Sequence, residues 1–506
     1  MSLNELHDLN DMSGVGGINA RGRVRVGGGA SYLDATRSLL VQAFIEERLQ
    51  SHTINQDGLA FTQLGFSARV DGCGASRLRC PASIDWGLEA IDGMKTPADD
   101  PSLGCGLLLA QDRKAPFREA CSFTSGVHAE ESLGISKLEL ARIPIRHVIV
   151  AMKENRSFDP LFGKLHDQGQ PGVDALPTTF ANPDANGKLV WPFHEITTCV
   201  PFDPGHQSAS VKACVNGGKM DGFLRSAAAT TPTDGSFVIG NYESTDLPFH
   251  YWLASTFAIA DRDFAPALTG TFANRNFMLF GTSAGVVDTG VSYPAPNTPS
   301  IFHSLMSAGF TWGSYFYDPQ PLSGTLGWDS HCPGVHSTSE LYDALDKGTL
   351  PNVAFVDDVE NVEDDHPTGD LQFGEAWLKR LYDHAITSPQ WPGLVIVYTY
   401  DEAGGFADHV PPPDGSAPVP SRSLSIARGP RVALVAISPW SKRGFVSHVV
   451  RDHASITRFI ETLFDLPALT AREANADALL DMFDFSCGRD LAVGTAPAAG
   501  TGGCKP

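Results

Sequence analysis

Five short segments between residues 144 and 487 are apolar at consecutive positions rather than at alternate ones. They are 146–152 (RHVIVAM), 310–315, 352–356, 394–400 (LVIVYTY) and 432–437. Runs of this kind mark strands buried on both faces, as in a parallel sheet. Helical spacing lies between them, over 373–385 and 454–464, with Asp452 placed to start the second helix. Strands alternating with helices predict an α/β chain with a mostly parallel sheet covered on both faces. Such sheets carry their functional residues beyond the carboxyl ends of the strands. The same pattern divides the chain. Residues 1–143 are Gly-rich and weakly periodic, an N-terminal extension of unassigned fold in which only the amphipathic run 33–50 reads as a helix. The α/β pattern fills 144–487, and the small residues of 488–506 predict a flexible C-terminal tail.

The residues that follow the apolar runs carry the chemistry. After 146–152 come Lys153, Glu154 and Asn155; after 352–356 come Asp357 and Asp358; after 394–400 come Asp401 and Glu402, then Gly404-Gly405 and Asp408-His409. One carboxylate past a strand is as often a helix cap or a solvated loop residue. Three strands delivering oxygen ligands to one edge point instead to a divalent cation. Clustered oxygens suit hard or borderline ions, and added His suits Zn, Mn or Fe, so the metal's identity stays open.

Charge and composition narrow the partners. Of 506 residues, 58 are acidic and 37 are Lys or Arg, a net charge of −21. Nucleic acid is excluded as the main ligand, because phosphate-backbone binding needs a basic footprint. Seven of the acidic residues fall between Asp357 and Asp370, with no Lys or Arg among them. Acidity is therefore concentrated beside the expected cation. No apolar stretch is long enough for a transmembrane helix, and the first 30 residues show no apolar core of a signal peptide. The nine Cys lack zinc spacing; Cys199 and Cys214 are candidates for a disulfide or for buried free thiols.

At Glu154–Asp159 (ENRSFD) the chain resembles a known family. It is similar to the bacterial phosphoesterases that comprise phosphatidylcholine-hydrolysing phospholipases C and metal-dependent acid phosphatases, within the alkaline phosphatase superfamily. The likeness spans about 144–487 through ordered motifs: ENRSFD, DPGH (203–206), GGKMDGF (217–223), GTFANRNF (270–277), DDHP (364–367), DEAGGFADHVPPP (401–413) and RDHASITRFIE (451–461), among others. The resemblance implies a three-layer α/β/α sandwich of alkaline-phosphatase type. It implies a metal site of Glu154, Asn155, Asp401 and Glu402, completed by the nucleophile oxygen of Thr271, with Thr269 as that residue's rival. His206 and His366 match positions that contact the phosphoryl group, together with Asn155. Two departures stand out: Ala403 replaces a polar residue in DEAGG, and Asp365 replaces Glu in DDHP. His331 and His336 are loose candidates for further family histidines. Export is the family's habit, so the resemblance implies a secreted or periplasmic protein.

The expected activity is hydrolysis of a phosphatidylcholine-like phosphodiester, through a phosphothreonine on Thr271. A Thr hydroxyl is a weak nucleophile and needs a metal or a base beside it. A phosphomonoesterase, of acid phosphatase type, is the alternative, and a catalytically silent binding protein on the same fold is another. Substrates would be a phospholipid or a small phosphoester, with transient contact to a membrane surface. Gly281–Gly285 (GTSAG) also fits a serine-esterase elbow, which requires a strand before Ser283 and a helix after it. Asp408-His409 and Asp452-His453 read better as structural anchors than as ligands. Tyr242, Tyr251 and Trp252 could wall a choline group, but their spacing on an apolar helix favours the core.

Overall fold

The structure is a computed structural model. It describes the backbone of two strands, Arg25–Asp34 and Arg37–Glu46, and residues 112–283, 285–286, 298–316, 334–358, 362–413, 427–486 and 493–503. The chain divides into two units, Met1–Gly65 and Phe66–Pro506. In the first, the two strands pair antiparallel, from Arg25 opposite Glu46 to Asp34 opposite Arg37. Of the helix expected over 33–50, residues 33–34 instead end the first strand and 37–46 form the second. Its run of Leu, Val, Phe and Ile suits a sheet, and a paired partner outweighs weak helical spacing.

In the second unit all five apolar runs are strands of a single 9-stranded sheet. In chain order its strands are β1 (His147–Lys153), β2 (Ala258–Phe264), β3 (Trp312–Phe316), β4 (Val335–Ser337), β5 (Val353–Val356), β6 (Leu394–Tyr400), β7 (Arg431–Ile437), β8 (Phe445–Ser447) and β9 (Arg451–Asp452). The spatial order is β4-β3-β5-β1-β6-β7-β2-β8, with β9 also on β2. Every pairing is parallel except the two made by β7. The run 432–437, expected to be parallel, is therefore antiparallel. Burial on both faces reports depth and not direction.

Side chains alternate between two cores. Val148, Val150 and Met152 of β1 and Val395 and Val397 of β6 face one side, where α5 (Thr271–Phe280), α6 (Ile301–Ser307) and α9 (Ala454–Leu463) contribute Met278, Phe302 and Phe459. Ile149, Ala151, Ile396 and Tyr398 face the other, against Leu253 of α4 (Pro248–Thr256), Leu341 of α7 (Thr338–Lys347) and Trp377 of α8 (Leu371–Thr387). This is a three-layer α/β/α sandwich. Ala129, Leu133, Ile135, Leu140 and Ile143 also belong to the first core, so the body begins upstream of β1.

Two local expectations change. Within the presumed flexible tail, residues 493–503 are docked: Val493, Ala496 and Ala499 pack on the second core. Gly500 N donates to Glu375 Oε2 (2.6 Å) and Gly503 N to Asp370 Oδ2 (2.8 Å) on α8. Small residues here serve close approach of backbone to helix rather than freedom. Cys199 and Cys214 do not pair with each other. Cys199 is disulfide-bonded, whereas Cys214 is a buried free thiol. It lies in a small third cluster with Phe223, Leu224 and Phe406. That cluster includes residues of α2 (Ser208–Val215) and α3 (Phe223–Thr230), just after the DPGH turn. α1 (Phe158–Phe162) follows the ENRS segment and packs Phe158 and Leu161 into the second core.

Candidate active site

Strands β5, β1 and β6 are neighbours and parallel, so their carboxyl ends open on the same edge. Tyr400 lies in register with Lys153, and Val356 with Ala151. Asp357, Glu154-Asn155 and Asp401-Glu402 continue past those ends, and all five are buried. The amide of Asn155 is the hub. With its nitrogen toward the carboxylates it donates to Asp401 Oδ1 (3.0 Å) and Glu402 Oε1 (3.1 Å), and its oxygen accepts from His366 Nε2 (3.0 Å). Turned over, the same amide brings three oxygens together, an arrangement that needs a cation or a carboxyl proton between them.

The electrostatics agree with a cation site. Burial raises Glu154 to about 7 against the pull of Arg275, and burial raises Glu402 to about 7 against the pull of His206. Burial, with Glu154 next, also raises Asp401. Its Oδ2 is buried and accepts no hydrogen bond. The other oxygens are held by backbone: Glu402 N donates to Asp401 Oδ1 (2.7 Å) and Gly404 N to Glu402 Oε2 (2.7 Å). Gly404 is required there, because its φ is +59° and a Cβ would come within 2.4 Å of Asn155 O. Crowded, dehydrated carboxylates beside an orphaned oxygen fit a divalent ion, whose charge would hold them ionised. Glu154, Asn155, Asp401 and Glu402 are the residues that would hold it.

Arg275 closes the cluster from α5. Its guanidinium bonds Asp357 Oδ1 (2.7 Å) and Glu154 Oε1 (3.2 Å), with Nε 3.6 Å from Asp401 Oδ2. Thr271 is the first residue of α5, one helical turn before Arg275, hence on the same face. Its hydroxyl therefore shares the side of the helix that meets the carboxylates, at an N-terminus that favours anions. Asn274 braces the preceding turn: it donates to Thr269 O (2.7 Å) and Gly270 O (3.0 Å) and accepts from Ala267 N (2.8 Å). In GTFANR, Asn274 thus shapes the turn and Arg275 anchors the acids. Thr269 lies before the helix, its carbonyl taken by that brace.

The two histidines meet over the same spot. Their rings lie 5.9 Å apart, edge to face. Asp203 links them, with Oδ1 3.4 Å from His206 Nδ1 and Oδ2 4.0 Å from His366 Nε2. Burial lowers His206, but Glu402 and Asp203 override it and raise the group to about 10. Burial lowers His366. Behind them Lys153, fully buried, pairs with Asp358 (2.7 Å) and Asp365 (3.4 Å) and donates to Glu363 O (2.5 Å). Asp365 also accepts from Tyr400 Oη (2.5 Å). The acidic segment is thereby folded back on β1, which sets the position of His366.

The structure brings together Glu154, Asn155, Asp401, Glu402, His206 and His366, and it places Thr271 on the helix face that meets them. Sequence reasoning did not single out Asp203, Lys153 or Arg275 for a role, nor pair Asp357 with an arginine. The signal for Arg275 was its spacing of four from Thr271. His336 stays away: it stacks on Tyr315 and pairs with Glu340 on the edge strand β4. His331 lies outside the described residues. The serine-elbow reading fails, because GTSAG follows the end of helix α5 at Gly281 and not a strand. Tyr242 and Tyr251 are core residues, and Trp252 stacks on Phe249 beside them. Asp408 and His409 are anchored with Asp159 around Arg431. Asp452 caps α9 through Ala454 N (2.9 Å), while His453 Nε2 donates to Asp401 O (2.8 Å) and so steadies a candidate ligand.

Residues 145–467, more than half of the chain, match the model of the Phosphoesterase family. The chain belongs to that family. Membership makes it a hydrolase acting on phosphoester bonds. It is 30% identical to non-specific phospholipase C1 of Arabidopsis thaliana, over 65% of this chain and 69% of that one. It is 27% identical to phospholipase C B of Mycobacterium tuberculosis, over 68% and 78% of the two chains. Among solved structures, a protein in the alkaline phosphatase superfamily from Vibrio parahaemolyticus is similar at TM-score 0.36 and 9% identity, over 74% of this chain and 79% of that one.

Proposed function

We propose that this phosphoesterase is a phospholipase C, cleaving phosphatidylcholine-like diesters on the glycerol side of phosphate with Thr271 as nucleophile. The observation that carries the reading is the Asn155-centred cluster, where candidate cation ligands and two histidines meet beside the N-terminus of α5. The relatives named as phospholipases C support the substrate class. A divalent ion held by Glu154, Asn155, Asp401 and Glu402 would act as a Lewis acid toward the Thr271 oxygen and the phosphoryl group. Thr271 Oγ bonds to phosphorus in line as the phosphorus–glycerol oxygen bond breaks. One histidine of the pair His206 and His366 takes the Thr271 proton while the other gives its own to the leaving diacylglycerol oxygen, an effect of about 10²–10⁴-fold. Water then attacks phosphorus, the bond to Thr271 breaks, and phosphocholine leaves with the threonine restored.

Charge favours a diester over a monoester. A monoester carries one more negative charge and calls for further cationic donors around phosphorus. Arg275 is already committed to Glu154 and Asp357. The deciding test compares p-nitrophenylphosphorylcholine with p-nitrophenyl phosphate, with and without chelator. Chelator-sensitive hydrolysis of the diester is expected. Preference for the monoester would replace this reading with an acid phosphatase, and silence on both after metal addition would replace it with a binding protein. Secretion is part of the proposal by family habit alone.

A further inference from the structure

We propose that segment 189–202 is a docking surface for a zwitterionic, choline-headed bilayer, held at the mouth of the reaction centre; this rests on the phospholipase reading above. Of eleven large apolar side chains exposed among the described residues, five fall in this short stretch. They are Ile196 (86% exposed), Trp191 (52%), Leu189 (48%), Phe193 (39%) and Phe202 (37%). Scattered exposed apolar residues are ordinary, but a contiguous group marks an interaction site.

The stretch is framed so that it cannot fold its apolar side chains away. Leu189–Val190 pairs with Asn182–Pro183, and Phe193–His194 pairs with Gly240–Asn241. Tyr242 Oη donates to Thr197 O (3.0 Å), and Leu371 N donates to Thr198 O (3.1 Å). Cys199 forms a bridge with Asp370. These last ties reach the loop of His366 and the start of α8. At the other end Phe202 immediately precedes Asp203, which contacts both His206 and His366. The apolar group therefore runs directly into the phosphoryl-binding pair.

Charge selects the occupant. Within 189–202 the charged residue is Glu195, and Asp203 follows; the stretch has no Lys or Arg. The outermost group of a choline-headed bilayer is a quaternary ammonium, which carboxylates and the faces of Trp and Phe attract. An anionic surface would instead repel a chain of net charge −21. Trp and Phe also suit the headgroup level, where interfacial proteins lodge apolar side chains.

The test uses the full chain with Trp191→Asp and Ile196→Asp, both at exposed positions that take no part in the proposed chemistry. Three readouts are taken: co-sedimentation with phosphatidylcholine vesicles and with phosphatidylserine-enriched ones, hydrolysis of vesicle phosphatidylcholine, and hydrolysis of soluble p-nitrophenylphosphorylcholine. The wild type is expected to sediment with phosphatidylcholine and less with phosphatidylserine. Each variant should lose about tenfold or more of vesicle binding and vesicle hydrolysis, the loss of one lodged apolar side chain, with soluble hydrolysis and melting temperature unchanged. Vesicle binding equal to wild type in both variants overturns the proposal, as does wild-type binding that rises with phosphatidylserine. A wild-type dimer abolished by both variants assigns the surface to a second copy and overturns it too. Variant-sensitive vesicle binding by a protein that hydrolyses neither substrate supports the docking surface while removing the phospholipase reading.

Discussion

Two clusters of acids and histidine lie in the same body, and they solve the same electrostatic problem differently. In one, Arg431 fills the centre: it bonds Asp159 Oδ1 (2.7 Å) and Asp408 (3.2 Å), and His409 Nδ1 bonds the same Asp159 (2.9 Å). Its guanidinium also lies 4.2 Å from the Phe158 ring. In the other, Arg275 bonds Asp357 Oδ1 and Glu154 Oε1 but leaves Asp401 Oδ2 without a hydrogen bond and Glu402 facing an amide. A cluster with its cation built in is a fastener. A cluster that leaves a buried carboxylate oxygen unbonded is the candidate site. Ligand-type residues alone do not separate the two, because Asp, Asp and His recur in both.

The largest effects should come from the second cluster. Thr271→Ala is expected to reduce kcat by on the order of 10³–10⁵, whereas Thr269→Ala should remain within about tenfold. Trapping a phosphorylated peptide that contains Thr271 checks the same point. Activity surviving Thr271→Ala would move the nucleophile elsewhere. Glu402→Gln should lower bound metal, measured by elemental analysis, and cut activity by about 10²-fold or more. Unchanged metal content in that variant would break the assignment of cation ligands.

The first cluster should fail differently. Arg431→Met leaves buried carboxylates without their partner and is expected to cost about 3–5 kcal/mol of stability, with metal content per folded molecule unchanged. Loss of metal in proportion to Glu402→Gln would erase the contrast. Lys153 stands between the two cases. It is a built-in cation, yet its partners Asp358 and Asp365 position His366. Lys153→Met should therefore destabilise by about 2–4 kcal/mol and also lower kcat/KM in the surviving folded fraction. A variant with normal kinetics would reduce Lys153 to a fastener.

The sheet was legible because its strands are apolar on both faces, and that signal survives in β1, β3, β5, β6 and β7. It failed at β2, whose sequence AIADRDF reads as polar. There Asp261 is buried and accepts from Asp174 N (3.0 Å) and faces His448 (2.8 Å), whereas Asp263 is buried with neither carboxylate oxygen hydrogen-bonded, so the strand's burial has no counterpart in its polarity. The ligand candidates were legible because parallel neighbouring strands must end on one edge. The direction of β7 was not, since it depends on connections and leaves no trace in burial. Arg275 had a local signal in its spacing from Thr271, but its partners Glu154 and Asp357, and the His366 that Asp203 faces, lie far along the chain, where no local spacing reports them. The docked tail escaped for a similar reason: Gly500 and Gly503 matter through backbone donors, and composition describes side chains.

A third arrangement tests how far one arginine can compensate two acids. On α9, buried Glu461 accepts from Arg458 Nη1 (3.0 Å) and Leu469 N (2.9 Å), with Glu473 nearby. Burial and then Glu473 outweigh Arg458 and raise Glu461 from 4.5 to about 8. A folded-state value above the unfolded one means that the folded protein binds the proton more tightly. The resulting stability is complete below pH 4.5 and is lost as pH rises through 8. Glu461→Gln removes that titration whatever constant change it adds. The stability of wild type minus that of the variant should therefore fall between pH 5 and pH 9, by up to about 4 kcal/mol, in urea unfolding at matched ionic strength. A flat difference would mean that Arg458 offsets the burial of Glu461 after all. A falling one would place it nearer Glu402, as an acid that lacks positive charge but, shut inside the core, can accept only a proton.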